Sequence, residues 1–369
     1  MTRILHIYKD YYPVLGGMEN HIKALSEALV TRGYDVTVLV THPTSTTHIE
    51  DMNGVHVIKA GRLATVASAP ISIALPRLLQ RQRPDITHLH FPYPLGEVAN
   101  LFFGRAPHTV ITYQSDVVRQ RGLLQLYRPL LWRVLRSADR IIATTPNYIA
   151  SSPFLKQLRA KCTVIPLGLP VERFASAPRD QVQRIRDTYG TPLLLFVGKL
   201  RYYKGLQYLL QAMPAIPARL LVVGSGPMED EWRQLSKSLG LAEQVTFIGG
   251  VSDAELPAYY HACDVFVLPA SERSEAYGLV QIEAMASGRP VVCTELGTGT
   301  SYVNLHGQTG LVVPPKDPAA LQEAIVALLR DEPMRCRMGQ HARERAVREF
   351  NLETMVDRIT RLYADLLST

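Results

Sequence analysis

Short apolar runs alternate with longer amphipathic ones along the chain. Arg3–Tyr8, Asp35–Val40, Ile86–His90, Thr109–Thr112 and Arg140–Ala143 have the length and composition of strands, and Glu19–Arg32 has the apolar spacing of a helix. The pattern repeats in the second half. There Leu193–Val197, Arg219–Val223, Val245–Ile248, Val265–Leu268, Val291–Cys293 and Leu311–Val313 are strand candidates, with helical stretches between most of them. Such alternation predicts an α/β fold with parallel sheets built from strand–helix–strand units. The join is expected in Pro166–Pro192, where Leu167-Gly168-Leu169-Pro170 leads into a polar stretch and then a new first helix. The expected division is a first domain over residues 1–172 and a second over residues 173–351. An amphipathic helix, Leu352–Leu367, lies in the last segment (residues 352–369) and is expected to cross back onto the first domain. Two doubly wound halves facing each other would place a ligand cleft at the carboxyl ends of both sheets.

Composition narrows this only slightly. At 369 residues, 47% hydrophobic and 20% charged, the chain has the composition of a globular protein, so disorder is not indicated. No apolar run reaches the ~20 residues that span a bilayer. The opening Met1–Tyr8 gives way to Lys9-Asp10 too soon to hold a signal-peptide core, so a cytoplasmic location is expected. Cys162, Cys263, Cys293 and Cys336 lack metal-site or redox spacing and are expected to be buried structural thiols. The formal charge of +7 points to an anionic partner: nucleic acid, an anionic membrane surface or a phosphorylated substrate.

Three segments carry candidate chemistry. Gly16-Gly17 follows the first strand and precedes the first helix, an arrangement that suits either an anion at the helix amino end or a ligand-free tight turn. Gly198-Lys199-Leu200-Arg201-Tyr202-Tyr203-Lys204-Gly205 places three cations after the first strand of the second half, where a diphosphate would be neutralised. The plain alternative is a solvated basic turn. The third segment runs from Ser271 to Pro290. Glu275 lies in a loop, Tyr277, Gly278 and Leu279 present backbone N–H groups at a helix start, and Glu283 lies further along that helix. Two carboxylates so spaced can grip two hydroxylated parts of one ligand. The competing reading makes Glu275 a cap and Glu283 a solvated residue, but Ile282 and Ala284-Met285-Ala286 are an apolar setting for a solvated acid.

Glu275, seven residues, then Glu283 with Ala284-Met285-Ala286-Ser287-Gly288-Arg289-Pro290-Val291-Val292 resembles the EX7E signature of family-4 retaining glycosyltransferases. Gly16-Gly17-Met18-Glu19 is similar to that family's N-terminal glycine loop. Gly198-Lys199 to Lys204-Gly205 resembles its diphosphate motif, Tyr259–Pro269 the segment before the signature, and Thr309-Gly310-Leu311-Val312-Val313-Pro314-Pro315 its continuation. The resemblance covers nearly the whole chain. It implies a GT-B fold of two Rossmann-like domains, retention of configuration, no metal and no cofactor, with a nucleotide sugar as substrate. By the same resemblance Glu275 contacts donor-sugar hydroxyls, Glu283 the ribose, Lys199 and Lys204 the diphosphate, and Gly250 and Val251 lie near the base. Leu296–Gly307 resembles bacterial mannosyl- or rhamnosyltransferases of polysaccharide or glycolipid assembly, which favours GDP-mannose over a UDP-hexose.

Two positions depart from the pattern. Where most relatives have His-Ser-Asp, this chain has Gln114-Ser115-Asp116, and a Gln can hydrogen-bond a hydroxyl without carrying a proton. Lys199 stands where Arg is usual, with Arg201 nearby. A sugar-nucleotide epimerase and a sugar-nucleotide-binding module with weakened catalysis are the competing functions. Val117–Arg140 interleaves Arg119, Arg121, Arg128, Arg133, Arg136 and Arg140 with Leu123, Leu124, Leu126, Leu130, Leu131 and Trp132. It reads either as a basic helix lying on the inner face of the cell membrane, serving a lipid-linked or saccharide acceptor, or as an ordinary domain helix. Nucleic acid is not expected, because the basic residues track a phosphate loop and an apolar helix rather than stacking aromatics.

Overall fold

The computed structural model describes residues 1–14, 16–66, 69–116 and 121–368, with side chains from 125 onward in the last segment. The chain divides into two compact units, Met1–Leu169 with Leu352–Thr369, and Pro170–Asn351. The division falls between Leu169 and Pro170, a few residues before the position suggested by the sequence.

The first unit runs β1 (Arg3–Ile7), α1 (Gly17–Thr31), β2 (Asp35–His42), β3 (His48–Met52), β4 (Val55–Gly61), β5 (Ala64–Val66), β6 (Ala69–Ile71), α2 (Ala74–Arg81), β7 (Ile86–Phe91), α3 (Pro94–Phe103), β8 (His108–Tyr113), α4 (Arg121–Ser137), β9 (Arg140–Ala143), α5 (Pro146–Ser151) and β10 (Cys162–Val164). Its main sheet has the order β10-β9-β8-β7-β1-β2-β4-β3. All its pairs are parallel except β3 with β4. Strand order reverses between β1 and β7, so the crevice at their carboxyl ends is this sheet's natural ligand position. The strand pair β3–β4 was not anticipated, although its signal is in the sequence. Asn53-Gly54 joins the strands as a two-residue turn with both residues at positive φ (50° and 81°), the conformation Asn-Gly favours in hairpins. β3 itself is exposed over most of its length and lacks the alternation that marks a half-buried strand.

The second unit contains α6 (Arg179–Tyr189), β11 (Leu193–Val197), α7 (Leu206–Ala212), β12 (Arg219–Val223), α8 (Glu229–Ser238), β13 (Val245–Gly249), α9 (Leu256–Ala262), β14 (Val265–Leu268), α10 (Leu279–Ala286), β15 (Val291–Thr294), α11 (Thr300–Val303), β16 (Gly310–Val313), α12 (Pro318–Arg330) and α13 (Glu332–Glu349). The sheet order β13-β12-β11-β14-β15-β16 reverses between β11 and β14. Fully buried Leu194, Phe196, Leu220, Val222, Trp232, Val265 and Ile325 belong to its core, which explains why the strands read as unbroken apolar runs.

The last helix, α14 (Leu352–Leu367), belongs to the first unit. Met355, Val356, Ile359, Leu362, Tyr363 and Leu366 form its buried stripe. Arg32 of α1 pairs with Glu353 and Asp357, each at 2.6 Å, but these acids are exposed and such pairs add little. The apolar stripe therefore holds the helix. Not all the cysteines are buried: Cys263 and Cys293 are, Cys162 is half-buried, and Cys336 is exposed on α13, an arginine-rich helix with few apolar positions to bury. Among the described residues no helix is long and apolar enough to cross a membrane.

Truncating Ile359 to Ala should destabilise the first unit by ~2–5 kcal/mol, the usual loss for a buried aliphatic side chain. Denaturant unfolding followed separately for the two units would show the first unit's midpoint falling. An unmoved midpoint would contradict this docking.

Candidate active site

In the second unit the loops after β11 and β14 meet at the strand-order reversal. Their approach depends on glycine. Gly205 has φ 67°, and a Cβ there would lie 2.0 Å from the Pro269 carbonyl oxygen; the loop after β12 packs on the β11 loop in the same way, through Gly224 at φ 123°, where a Cβ would lie 2.2 Å from the Gly198 carbonyl oxygen. The Ser271 N–H donates to the Tyr203 carbonyl at 2.8 Å, tying the two loops one residue from Lys204.

The result is a buried ion pair. Lys204 Nζ lies 2.7 Å from Glu275 Oε2, and the two residues are 8% and 7% exposed. Burial works to lower the Lys204 pKa, but the Glu275 carboxylate, Tyr203 and Glu283 together outweigh it and hold the ammonium above its ordinary value. Glu275 is fixed from behind: its carbonyl accepts from Thr298 Oγ1 at 2.9 Å, and the Ala276 carbonyl accepts from the Gly299 N–H at 2.8 Å. Arg273 donates to the carbonyls of Leu296 and Gly297.

Glu283 is half-buried on α10 and accepts from the Tyr260 hydroxyl at 2.6 Å. Burial pushes its carboxyl upward, opposed by the Tyr260 bond and by the charges of Arg173 and Lys204. Arg173 also pairs with Asp253 at 3.3 Å. Asp253 follows the turn after β13 that holds Gly250 and Val251, and nothing stands within 4 Å of a Cβ placed on Gly250. Tyr277 is buried, and Gly278, at φ 79°, caps α10 before Leu279. Lys199, next to Gly198 at the rim of the turn, is exposed. Neither Tyr260 nor Arg173 was singled out from the sequence. Tyr260 lies within the Tyr259–Pro269 segment but with no role attached to it, Arg173 lies in no motif, and only the fold carries them to Glu283.

In the first unit Gln114 follows β8 and is 4% exposed, and neither its side-chain nitrogen nor its oxygen has a hydrogen-bond partner. At Gly16-Gly17 the helix amino end already faces an acid. A Cβ on Gly16 would lie 2.2 Å from Glu19 Oε2, so an anionic ligand at that turn would meet the Glu19 carboxylate. The amphipathic helix is present as α4, but its two halves differ. Leu131, Val134 and Leu135 are buried in the domain core, with Arg133 exposed on the opposite side of that stretch, whereas Leu126 is 81% exposed close to exposed Arg128. Arg119 lies outside the described residues, as do the side chains of Arg121, Leu123 and Leu124. Glu97 on α3 is another group the sequence did not single out. It is buried and accepts from the Tyr127 hydroxyl and the Tyr93 N–H, and burial raises its carboxyl to about 7 despite both donors.

Replacing Lys204 by Met should leave the Glu275 carboxylate buried and unpaired and destabilise the second unit by ~3–5 kcal/mol, whereas adding Glu275→Gln should restore most of that loss. Equilibrium unfolding of the single and double variants reads this coupling; additive losses would mean the pair is not formed.

Residues 15–173 match the family model described as Glycosyltransferase Family 4, and residues 179–345 match that described as Glycosyl transferases group 1. The chain is 38% identical over 370 residues to the O-antigen chain mannosyltransferase C of Escherichia coli, covering 100% of this chain and 99% of that one. It is 37% identical over 347 residues to the D-rhamnosyltransferase WbpZ of Pseudomonas aeruginosa, covering 93% and 91%. In three dimensions it is similar to the sucrose-phosphate synthase of Thermosynechococcus elongatus (TM-score 0.82, 24% identity, all of both chains) and to Anabaena HepE crystallised with UDP-glucose (TM-score 0.80, 19% identity, 99% and 100%). The latter two likenesses give the fold, which is GT-B. With the two family models and full-length relatives above a third identical, the chain belongs to the glycosyltransferases of family 4.

Proposed function

We propose that this glycosyltransferase is a retaining, metal-independent hexosyltransferase that moves mannose from GDP-mannose, or a related hexose from a UDP-sugar, to a hydroxyl acceptor in polysaccharide or glycolipid assembly. The observation that carries the proposal is the buried Lys204–Glu275 pair with Glu283 beside it at the strand-order reversal of the second unit. A cation held above its ordinary pKa stays charged while a diphosphate departs. A buried carboxylate offers an acceptor to sugar hydroxyls, and Glu283, steadied by Tyr260, offers another to a ribose. The mannosyl- and rhamnosyltransferase relatives support the hexose class.

In this reading the acceptor hydroxyl attacks the anomeric carbon on the face from which the nucleoside diphosphate leaves. The bond from carbon to diphosphate oxygen breaks, the new glycosidic bond forms on the same face, and a diphosphate oxygen takes the acceptor proton. Lys204 offsets the charge that grows on the leaving group, with exposed Lys199 and Arg201 at the rim. The unpartnered amide of Gln114 suits a neutral hydrogen bond to a sugar hydroxyl, a role that needs no proton transfer. The epimerase and weakened-module alternatives gain no support from the relatives.

GDP-mannose should raise the melting temperature most in a panel of nucleotide sugars. Lys204→Ala should lower kcat/KM by ~100-fold or more, the usual effect of removing one transition-state charge partner. Turnover within a few-fold of the wild type would sink the assignment of Lys204, and a product of inverted anomeric configuration would sink the mechanism.

The exposed positions of α4, among them Leu126, Arg128 and Arg133, support attachment to an anionic membrane and hence a lipid-linked acceptor. Co-sedimentation with anionic vesicles at low salt should be strong and should fall sharply in Arg128→Glu/Arg133→Glu. Equal binding by the double variant would place any membrane contact elsewhere.

A further inference from the structure

Away from the Lys204–Glu275 site, the first unit buries four histidines together. His6 on β1 and His88 on β7 are register partners on neighbouring parallel strands, and His90 stands two residues further along β7, so all three side chains leave the same face of the sheet. α1 brings His21 over that face. Their exposures are 0%, 0%, 1% and 5% for His6, His88, His90 and His21. His88 and His90 are stacked at 4.6 Å between ring centres, His6 lies 5.1 Å from His88 and 5.2 Å from His90, and His21 meets His90 edge-on at 5.9 Å.

The hydrogen bonds in this cluster do not satisfy it. His6 Nδ1 and His90 Nε2 share one bond at 3.0 Å, which leaves His6 Nε2 and His90 Nδ1 without partners. Both ring nitrogens of His21 also lack partners. His88 is held at both nitrogens, by the Tyr363 hydroxyl and by Thr112 Oγ1, each at 2.6 Å. Buried polar atoms without partners are costly, and several on neighbouring imidazoles call for a common occupant. One nitrogen from each of His6, His88 and His90 lies within 4.8 Å of the others. A His-x-His pair on one strand with a third His on its neighbour gives the three-imidazole ligand set used by zinc sites. Neutral imidazole is the ligating form.

We propose that His6, His88 and His90 bind a divalent transition-metal ion of the zinc class, with the fourth position left to solvent or a small ligand. All-nitrogen ligation suits zinc, cobalt or nickel and disfavours magnesium and calcium, which require oxygen. Coordination through His88 Nε2 releases the Thr112 bond and keeps the Tyr363 bond to Nδ1 as the contact that orients the ring. The ion would cross-link β1 and β7, a structural role separate from the transfer reaction.

The test is titration of the untagged, chelator-treated protein with Co2+ and Zn2+. One equivalent of Co2+ should bind with the visible absorption of a low-coordinate nitrogen site, and Zn2+ should displace it and raise the melting temperature. His90→Gln should abolish binding, while Tyr363→Phe, which removes only an orienting contact, should weaken it ~10–100-fold and so keeps the test valid if His90→Gln fails to fold. The pair of half-buried His42 and exposed His48, with rings 4.1 Å apart, is the competing surface site, and His42→Ala/His48→Ala should bind as the wild type does. No stoichiometric uptake would overturn the proposal, as would uptake abolished by the His42/His48 variant or unchanged in both His90→Gln and Tyr363→Phe.

Discussion

Lys204 and Glu275 are both almost wholly removed from water, and each is the other's ion-pair partner there. Removing two ions from solvent costs several kcal/mol apiece, an expense that only close and well-fixed geometry offsets. Much of the second unit's local structure provides that geometry. The β11 loop reaches the β14 loop because Gly205 leaves room for the Pro269 carbonyl, and the Ser271–Tyr203 bond locks the approach. The Thr298 and Gly299 contacts then hold the Glu275 segment from the far side. An interaction so dependent on its surroundings is a poor source of stability but a good means of presenting a fixed charge to a ligand.

Glu283 shows the same economy with less burial. Its carboxylate is steadied by a neutral donor, Tyr260, and feels Arg173 and Lys204 only through space. It therefore remains able to accept a hydroxyl, whereas Glu275 must share itself with Lys204. Two acids from one motif thus have different electrostatic surroundings, consistent with contacts to different parts of a donor.

The first unit solves a different problem. Its central strands carry histidines and threonines where purely apolar residues would pack more simply, and the polar layer they make is covered by α1 and α14. Tyr363, from the last helix, bonds to His88 in that layer, so the chain's end helps to complete a core whose strands formed near its beginning. Gln114 and Glu97 add further buried polar groups. Gln114 has no partner, whereas Glu97 is held by Tyr127 and Tyr93 and joins α3 to α4.

The sequence by itself determined the repeated strand–helix order, the extent of α14 and the family, because apolar period and contiguous motifs are local properties. Every strand expected in the second half is present within a residue or so, since strands buried on both faces read as unbroken apolar runs. It also held the Asn53-Gly54 hairpin signal, which was obscured because exposed β3 has no apolar alternation. Only tertiary structure decided that Lys204 rather than Lys199 is buried against Glu275, that Tyr260 and Arg173 serve Glu283, and that Glu19 occupies the Gly16-Gly17 turn. The four histidines, dispersed between positions 6 and 90, likewise become a cluster only when β1 and β7 pair and α1 closes over them. Burial and pairing depend on which segments the fold brings together, and spacing along one chain does not encode distances across a sheet.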